Sequence, residues 1–103
     1  MFGAFGDGDM PVYKLEPVEG TEGNSDWWAS SLPPTPVWVR AGNPNHARQR
    51  MHLATYATTF VPGSVVSAPW VNAALVTCTE DQSREVPADR ALLANGKISL
   101  KLP

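Results

Sequence analysis

Proline is what most limits the folds open to this chain. Ten prolines and eight glycines fall among 103 residues. Proline fixes φ, lacks an amide hydrogen and interrupts helix interiors, while glycine marks turns. Short extended segments joined by turns are therefore expected, and long helices are not. The length fits one domain at most, and a chain of this size buries about two-thirds of its unfolded surface. With 43% hydrophobic residues, the expected class is mainly β. The picture is a small antiparallel sandwich or barrel-like body with an extended N-terminal arm and at most one or two short helices.

The densest proline run divides the chain. Residues 26–40 hold Trp27, Trp28 and Trp38, three of the four tryptophans, together with Pro33, Pro34 and Pro36. Pro33-Pro34-Thr35-Pro36 should be stiff and polyproline-like, rising about 3.1 Å per residue. It has the spacing of an SH3-type ligand, but no arginine flanks it closely on the N-terminal side, so a spacer is the better reading. Residues 1–36 carry six acids (Asp7, Asp9, Glu16, Glu19, Glu22, Asp26) and one base, Lys14. Residues 37–103 carry four acids and seven bases. The front is thus −5 and the body +3, which sum to the net −2. Residues 1–35 are expected to form an extended acidic Gly/Pro-rich arm, and residues 36–103 a compact β body. Such an arm can dock by charge on its own body or on a neighbour's, less so as salt is added.

Pattern places the strands. Around residues 12–18, Tyr13 and Leu15 share a face in a short, proline-bounded segment expected at a sheet edge. Val37 and Val39 alternate with Trp38 and Arg40, a clear strand. Asn43 as cap with Pro44 at the first helical position could open a helix carrying Ala47, Met51 and Ala54 on one side. The β-formers of residues 55–61 argue instead for a polar connection and a strand over about 51–61, with helix as the alternative. Pro62-Gly63 suits a tight turn. Pro69 splits the most apolar run, 65–79, into 65–68 and 70–79, and the latter is expected as a central strand buried on both faces. Residues 87–96 read as a two-turn helix stopped by Gly96, or a loop whose Leu92 and Leu93 plug the core. Residues 97–102 alternate, with Ile98, Leu100 and Leu102 inward. Lys97 and Lys101 face outward, as suits an exposed strand.

Chemistry-bearing patterns are weak. His46, His52 and Cys78 lack the spacing of a zinc site, and Cys78 has no local base to activate it. Asp7-Gly8-Asp9 resembles the start of a calcium loop, but the following positions lack the required oxygens. Gly-rich phosphate loops and nucleophile elbows are absent. No cofactor, metal or catalytic set is expected. A single cysteine cannot form an internal disulfide and fits a reducing cytoplasm. No apolar run approaches a bilayer span, and the first residues do not read as a signal peptide. The negative net charge speaks against nucleic acid and anionic membranes.

Interface chemistry is the richer signal. Phe2 and Phe5 sit in a Gly/Asp-rich segment that suits either a flexible tail or an aromatic anchor. Four tryptophans exceed what one small core needs. Trp38 and Trp70 suit that core, and Trp27 and Trp28 suit an interface, where tryptophan is enriched. Arg48 and Arg50, flanked by His46 and His52, form the one local basic cluster and are expected to pair with the acidic arm, in cis or from another copy. The reading is a non-enzymatic structural subunit of a larger assembly, binding neighbours through the arm with Phe2, Phe5, Trp27, Trp28, Arg48 and Arg50 as contacts. Partners would be self copies or a major capsid or scaffold protein. The favoured setting is a bacterial virus, as capsid cement, decoration or minor head/tail protein, located in the virion after assembly in the host cytoplasm. The alternatives are a small carbohydrate-binding β-module using exposed tryptophans and an accessory subunit of a cellular enzyme complex.

Overall fold

A computed structural model describes residues 10–24, 27, 30–55, 69–94 and 99–102. Its elements are β1 (Val12–Pro17), β2 (Val37–Arg40), α1 (Pro44–Thr55), a 3-10 turn (Pro69–Val71), β3 (Val76–Glu80), β4 (Arg90–Leu93) and β5 (Ser99–Lys101). The five strands form one sheet in the order β3-β1-β2-β4-β5, antiparallel at every pairing. The mainly β class is therefore what the chain adopts, with one short α-helix among the described residues. No helix among the described residues is long and apolar enough to cross a membrane.

Side-chain alternation gives the sheet two unlike faces. Tyr13, Leu15, Val37, Val39, Val76 and Ala91 face one side and join Ala47 and Met51 of α1, Trp70 and Trp27 in the main core. Val12 and Trp38 face the other side, where Val86 from the connection after β3 and the half-buried Leu92 pack on them. The phase expected for Val37–Arg40 and for Tyr13 and Leu15 holds, because a period-two pattern fixes which side each residue takes.

The helix starts as its cap residues dictate. Asn43 Oδ1 accepts the His46 amide at 2.8 Å, Asn43 O accepts the Ala47 amide at 3.0 Å, and Pro44 opens the first turn. Ala47, Met51 and Thr55, spaced by four, form its buried side. The strand expected from residue 51 is thus replaced by helix through Thr55; the rest of that stretch, the turn at Pro62-Gly63 and residues 65–68 lie outside the described residues.

Further expectations are corrected. β1 is not an edge strand but lies between β3 and β2, and Trp27 is only 5% exposed within the core. Within residues 1–35, Val12–Pro17 is thus a strand of the sheet and Trp27 part of the main core, while residues 1–9 lie outside the described residues. The run 70–79 is not a central strand. Asn72 breaks it, its carbonyl accepting the Leu75 and Val76 amides at 3.0 Å and its side chain the Ala74 amide at 2.9 Å, an Asx-type turn. Only Val76–Glu80 remains extended, and it lies at an edge. Residues 90–93 are strand rather than helix or loop, since pairing Trp38 with Leu92 and Val37 with Leu93 outweighs the modest helix preference of alanine and leucine. Gly96, Lys97 and Ile98 lie outside the described residues. Leu102 is buried and Lys101 exposed, as the alternation implied.

Candidate functional site

The β3 edge is set by hydrogen-bond phase. In an antiparallel pair, facing residues alternate between those that exchange both main-chain bonds and those that exchange none. Val18 N donates to Leu75 O and Asp81 N to Val12 O, each at 2.8 Å. With the register Pro17 to Val76 and Tyr13 to Glu80, these bonds place the exchanged pairs at Glu16 with Thr77 and Lys14 with Thr79. The main-chain groups of Val76, Cys78 and Glu80 consequently point away from the sheet.

Val76 is closed off. Its amide donates to Asn72 O at 3.0 Å, and its carbonyl accepts Arg48 Nη1 at 2.8 Å. Cys78 and Glu80 are open: no main-chain bond from either is formed among the described residues. Thr77, Thr79 and Glu80 are exposed. The strand carries neither lysine nor proline, two of the usual protections of an edge. The opposite edge, β5, is only three residues long and ends in the exposed Lys101.

Beside the start of β3 lies an open groove of about 510 Å³. Glu16, Glu19 and Glu22 line it, with Pro34 and Pro36 on its wall and Thr77 contributed by β3. The turn that presents the glutamates is locally specified. Gly20 has φ +89°, a left-handed conformation that glycine accommodates. Val18 O accepts both the Thr21 amide (3.1 Å) and hydroxyl (2.6 Å), and the Gly20 amide donates to Glu22 Oε2 at 2.9 Å. Lys14 Nζ lies 3.3 Å from Glu16, the one ion pair among the described residues. At the far end of β3, Glu80 and Asp81 continue the acidic character, so carboxylates bracket the open edge.

The contact residues expected from sequence are distributed otherwise. Arg48 Nη1 donates to Val76 O and, at 3.4 Å, to Trp70 O; Arg50 Nη1 donates to Arg40 O at 2.9 Å. Both guanidinium groups thus tie α1 to main-chain carbonyls of β2, β3 and the 3-10 turn. Trp27 packs edge-on against Trp70, ring centroids 5.2 Å apart and planes at 88°, so it is not an exposed anchor. Its neighbour Trp70 is fully buried and donates from Nε1 to Ser30 Oγ at 3.0 Å. Phe2, Phe5 and Trp28, with Asp7 and Asp9, lie outside the described residues. His46 accepts the Gly42 amide on Nδ1 at 2.9 Å, His52 is in the last turn of α1, and Cys78 Sγ lies 3.8 Å from Pro44 O. Burial pushes the Cys78 thiol up, with Arg48 offsetting part of the effect. Among the described residues no three histidine, cysteine, aspartate or glutamate side chains are gathered to hold a metal.

Sequence reasoning missed the open edge because it read 70–79 as buried by its apolar content. The usable signal was the alternation Thr77, Thr79 within that run and the absence of lysine and proline from it. No protein-family model, curated protein or solved structure matches this chain.

Proposed function

We propose that this chain is a non-enzymatic structural subunit of a larger assembly, joined to its neighbours by strand addition. The observation that carries the reading is the β3 edge: exposed, free of lysine and proline, with the main-chain donors and acceptors of Cys78 and Glu80 unpaired by any described residue. Unpaired strand edges recruit other chains, and main-chain bonds then supply direction. Many copies in one assembly add avidity to a contact that is weak alone.

Phe2, Phe5 and Trp28 are kept as contacts assigned by sequence. Trp27, Arg48 and Arg50 are not, since their side chains serve the fold. The setting favoured by the sequence remains a bacterial virus particle, with the chain as cement, decoration or minor head/tail protein. Density-gradient sedimentation of the chain from its native source tests this. Co-sedimentation with particles is expected, and recovery solely as free chain would sink the reading. Deletion of residues 1–9 should abolish incorporation yet leave the sheet folded. Removing residues 1–35 is not a fair test, because it deletes β1 from the middle of the sheet.

A further inference from the structure

We infer that the occupant of the β3 edge is an extended segment of another protein that carries lysine or arginine at both ends. The inference rests on the assembly reading and adds the chemistry of the partner. Two independent features meet at this edge. The first is main-chain: Cys78 and Glu80 each present an outward amide and an outward carbonyl, while Val76 is occupied by Asn72 and Arg48. An added strand therefore seats over residues 77–80 and stops at the Arg48 guanidinium. The second is charge. Glu16, Glu19 and Glu22 line the groove at one end of the strand, and Glu80 and Asp81 lie at the other. Lys14 is the only cation paired with any of them among the described residues.

Charge separates this occupant from a second copy of the chain. Two β3 strands using Cys78 and Glu80 of both would pair about a two-fold axis at Thr79. That geometry moves Glu80 and Asp81 of each copy toward Thr77 and the neighbouring Glu16 of the other. That pairing sets Asp81 opposite Thr77 and Glu80 opposite Cys78, so the carboxylates of the two copies are not directly opposed but lie one strand apart and repel as like charges do. A basic strand meets the same carboxylates with the opposite sign. Pro34 and Pro36 give the groove a firm wall against which the stem of a lysine or arginine can lie while its charge reaches the glutamates.

The test uses the full chain and two dye-labelled, end-blocked peptides of alternating valine and threonine, one flanked by lysines and one by glutamates. Fluorescence anisotropy should show the lysine peptide binding at least about tenfold more tightly, and weakening several-fold as salt rises from about 0.05 M to about 0.3 M. Glu80→Pro removes an outward amide and no bond within the sheet, so it should abolish binding without shifting the unfolding midpoint by much. Lys101→Pro makes the matching change at the other edge and should leave binding unchanged. Should Glu80→Pro fail to fold, Glu80→Lys keeps the main chain and should weaken the lysine peptide relative to the glutamate one. Binding of neither peptide, equal binding of both, or equal effects of Glu80→Pro and Lys101→Pro would overturn the inference. So would concentration-dependent self-association that Glu80→Pro abolishes. If the chain sediments with particles but ignores the lysine peptide, the occupant is wrong and the assembly reading stands. If the peptide binds and no particle is found, the reverse holds.

Discussion

The two faces of the sheet are held by different physics. On the helix side, Leu15, Val37, Val39, Met51, Val76 and Trp70 are all fully buried and form a continuous apolar core. On the other side only Val12, Trp38 and Val86 are buried among the described residues, and polar contacts do much of the fastening. Trp38 Nε1 donates to Asp81 Oδ2 at 3.1 Å, the Arg84 guanidinium sits 4.1 Å from the Trp38 ring centroid, and Lys14 Nζ lies 5.4 Å from it. Arg40 clamps the same side, donating to the carbonyls of Val86 and Met10. The difference teaches that one face stabilises the fold as a whole, while the other holds a strap, the connection from β3 to β4, whose grip depends on charge and therefore on salt and pH.

The largest break should come from the apolar face. Trp70→Ala removes a fully buried ring that touches Trp27 and bonds Ser30, and large-to-small changes of this kind cost about 3–5 kcal/mol. Urea denaturation followed by circular dichroism should show the loss as a shift of the whole transition. If Trp70→Ala melted only a local segment, the helix-side core would not be the cooperative unit described here. Next comes the seam between helix and sheet. Arg48→Met keeps much of the side-chain bulk but removes bonds to Val76 O and Trp70 O. Hydrogen bonds from a charged donor are worth about 1.5–3 kcal/mol. A loss of that order in the same assay is expected, whereas a neutral result would mean water replaces the guanidinium at no cost.

A finer contrast lies between the two packed indoles. Trp70 Nε1 is bonded to Ser30, whereas Trp27 Nε1 is buried with no hydrogen-bond partner among the described residues. A buried donor left unsatisfied costs about 1–3 kcal/mol. Replacing each by phenylalanine trims similar bulk but removes a satisfied donor in one case and an orphan in the other. Trp27→Phe should therefore be less destabilising than Trp70→Phe by at least about 1 kcal/mol. Equal losses would show that ring volume alone decides.

What sequence made legible follows the same division. Alternation at Val37–Arg40 and at Tyr13 and Leu15 gave the correct faces, because period two is a local signal that burial on one side enforces. Asn43 and Pro44 marked the helix start for an equally local reason. Apart from the local turn at Asn72, the errors below share a cause: each needed knowledge of a distant partner. Residues 90–93 became a strand only because β2 offered its open side, and Trp27 entered the core only because Trp70 stood ready, 43 residues away in sequence. Arg48 and Arg50 looked like a free basic cluster because nothing local shows that main-chain carbonyls of β2 and β3 lie within reach of α1. The open β3 edge was hidden for the same reason, since strand order is not written in any single segment.

The smallest expected effect isolates the polar face. The Asp81 carboxyl is held down at about 2, first by its bonds with Ser83 and then by the Trp38 indole. An aspartate in the unfolded chain titrates near about 3.9. Between those values the unfolded chain binds the proton and the folded chain does not, so stability rises with pH across that window. The contribution is complete above about pH 4 and is lost as pH falls toward about 2. Wild-type chain should therefore lose more stability than Asp81→Asn when urea midpoints at about pH 5 and about pH 2.5 are compared. Trp38→Phe, which deletes one of the donors to this carboxylate, should fall between them. Because the strap sits on Trp38 and not on Trp70, tryptophan emission should report the acid change before circular dichroism does. If Asp81→Asn lost as much as wild type on acidification, the acid sensitivity would lie elsewhere, and the two faces would not differ in the way their contacts imply.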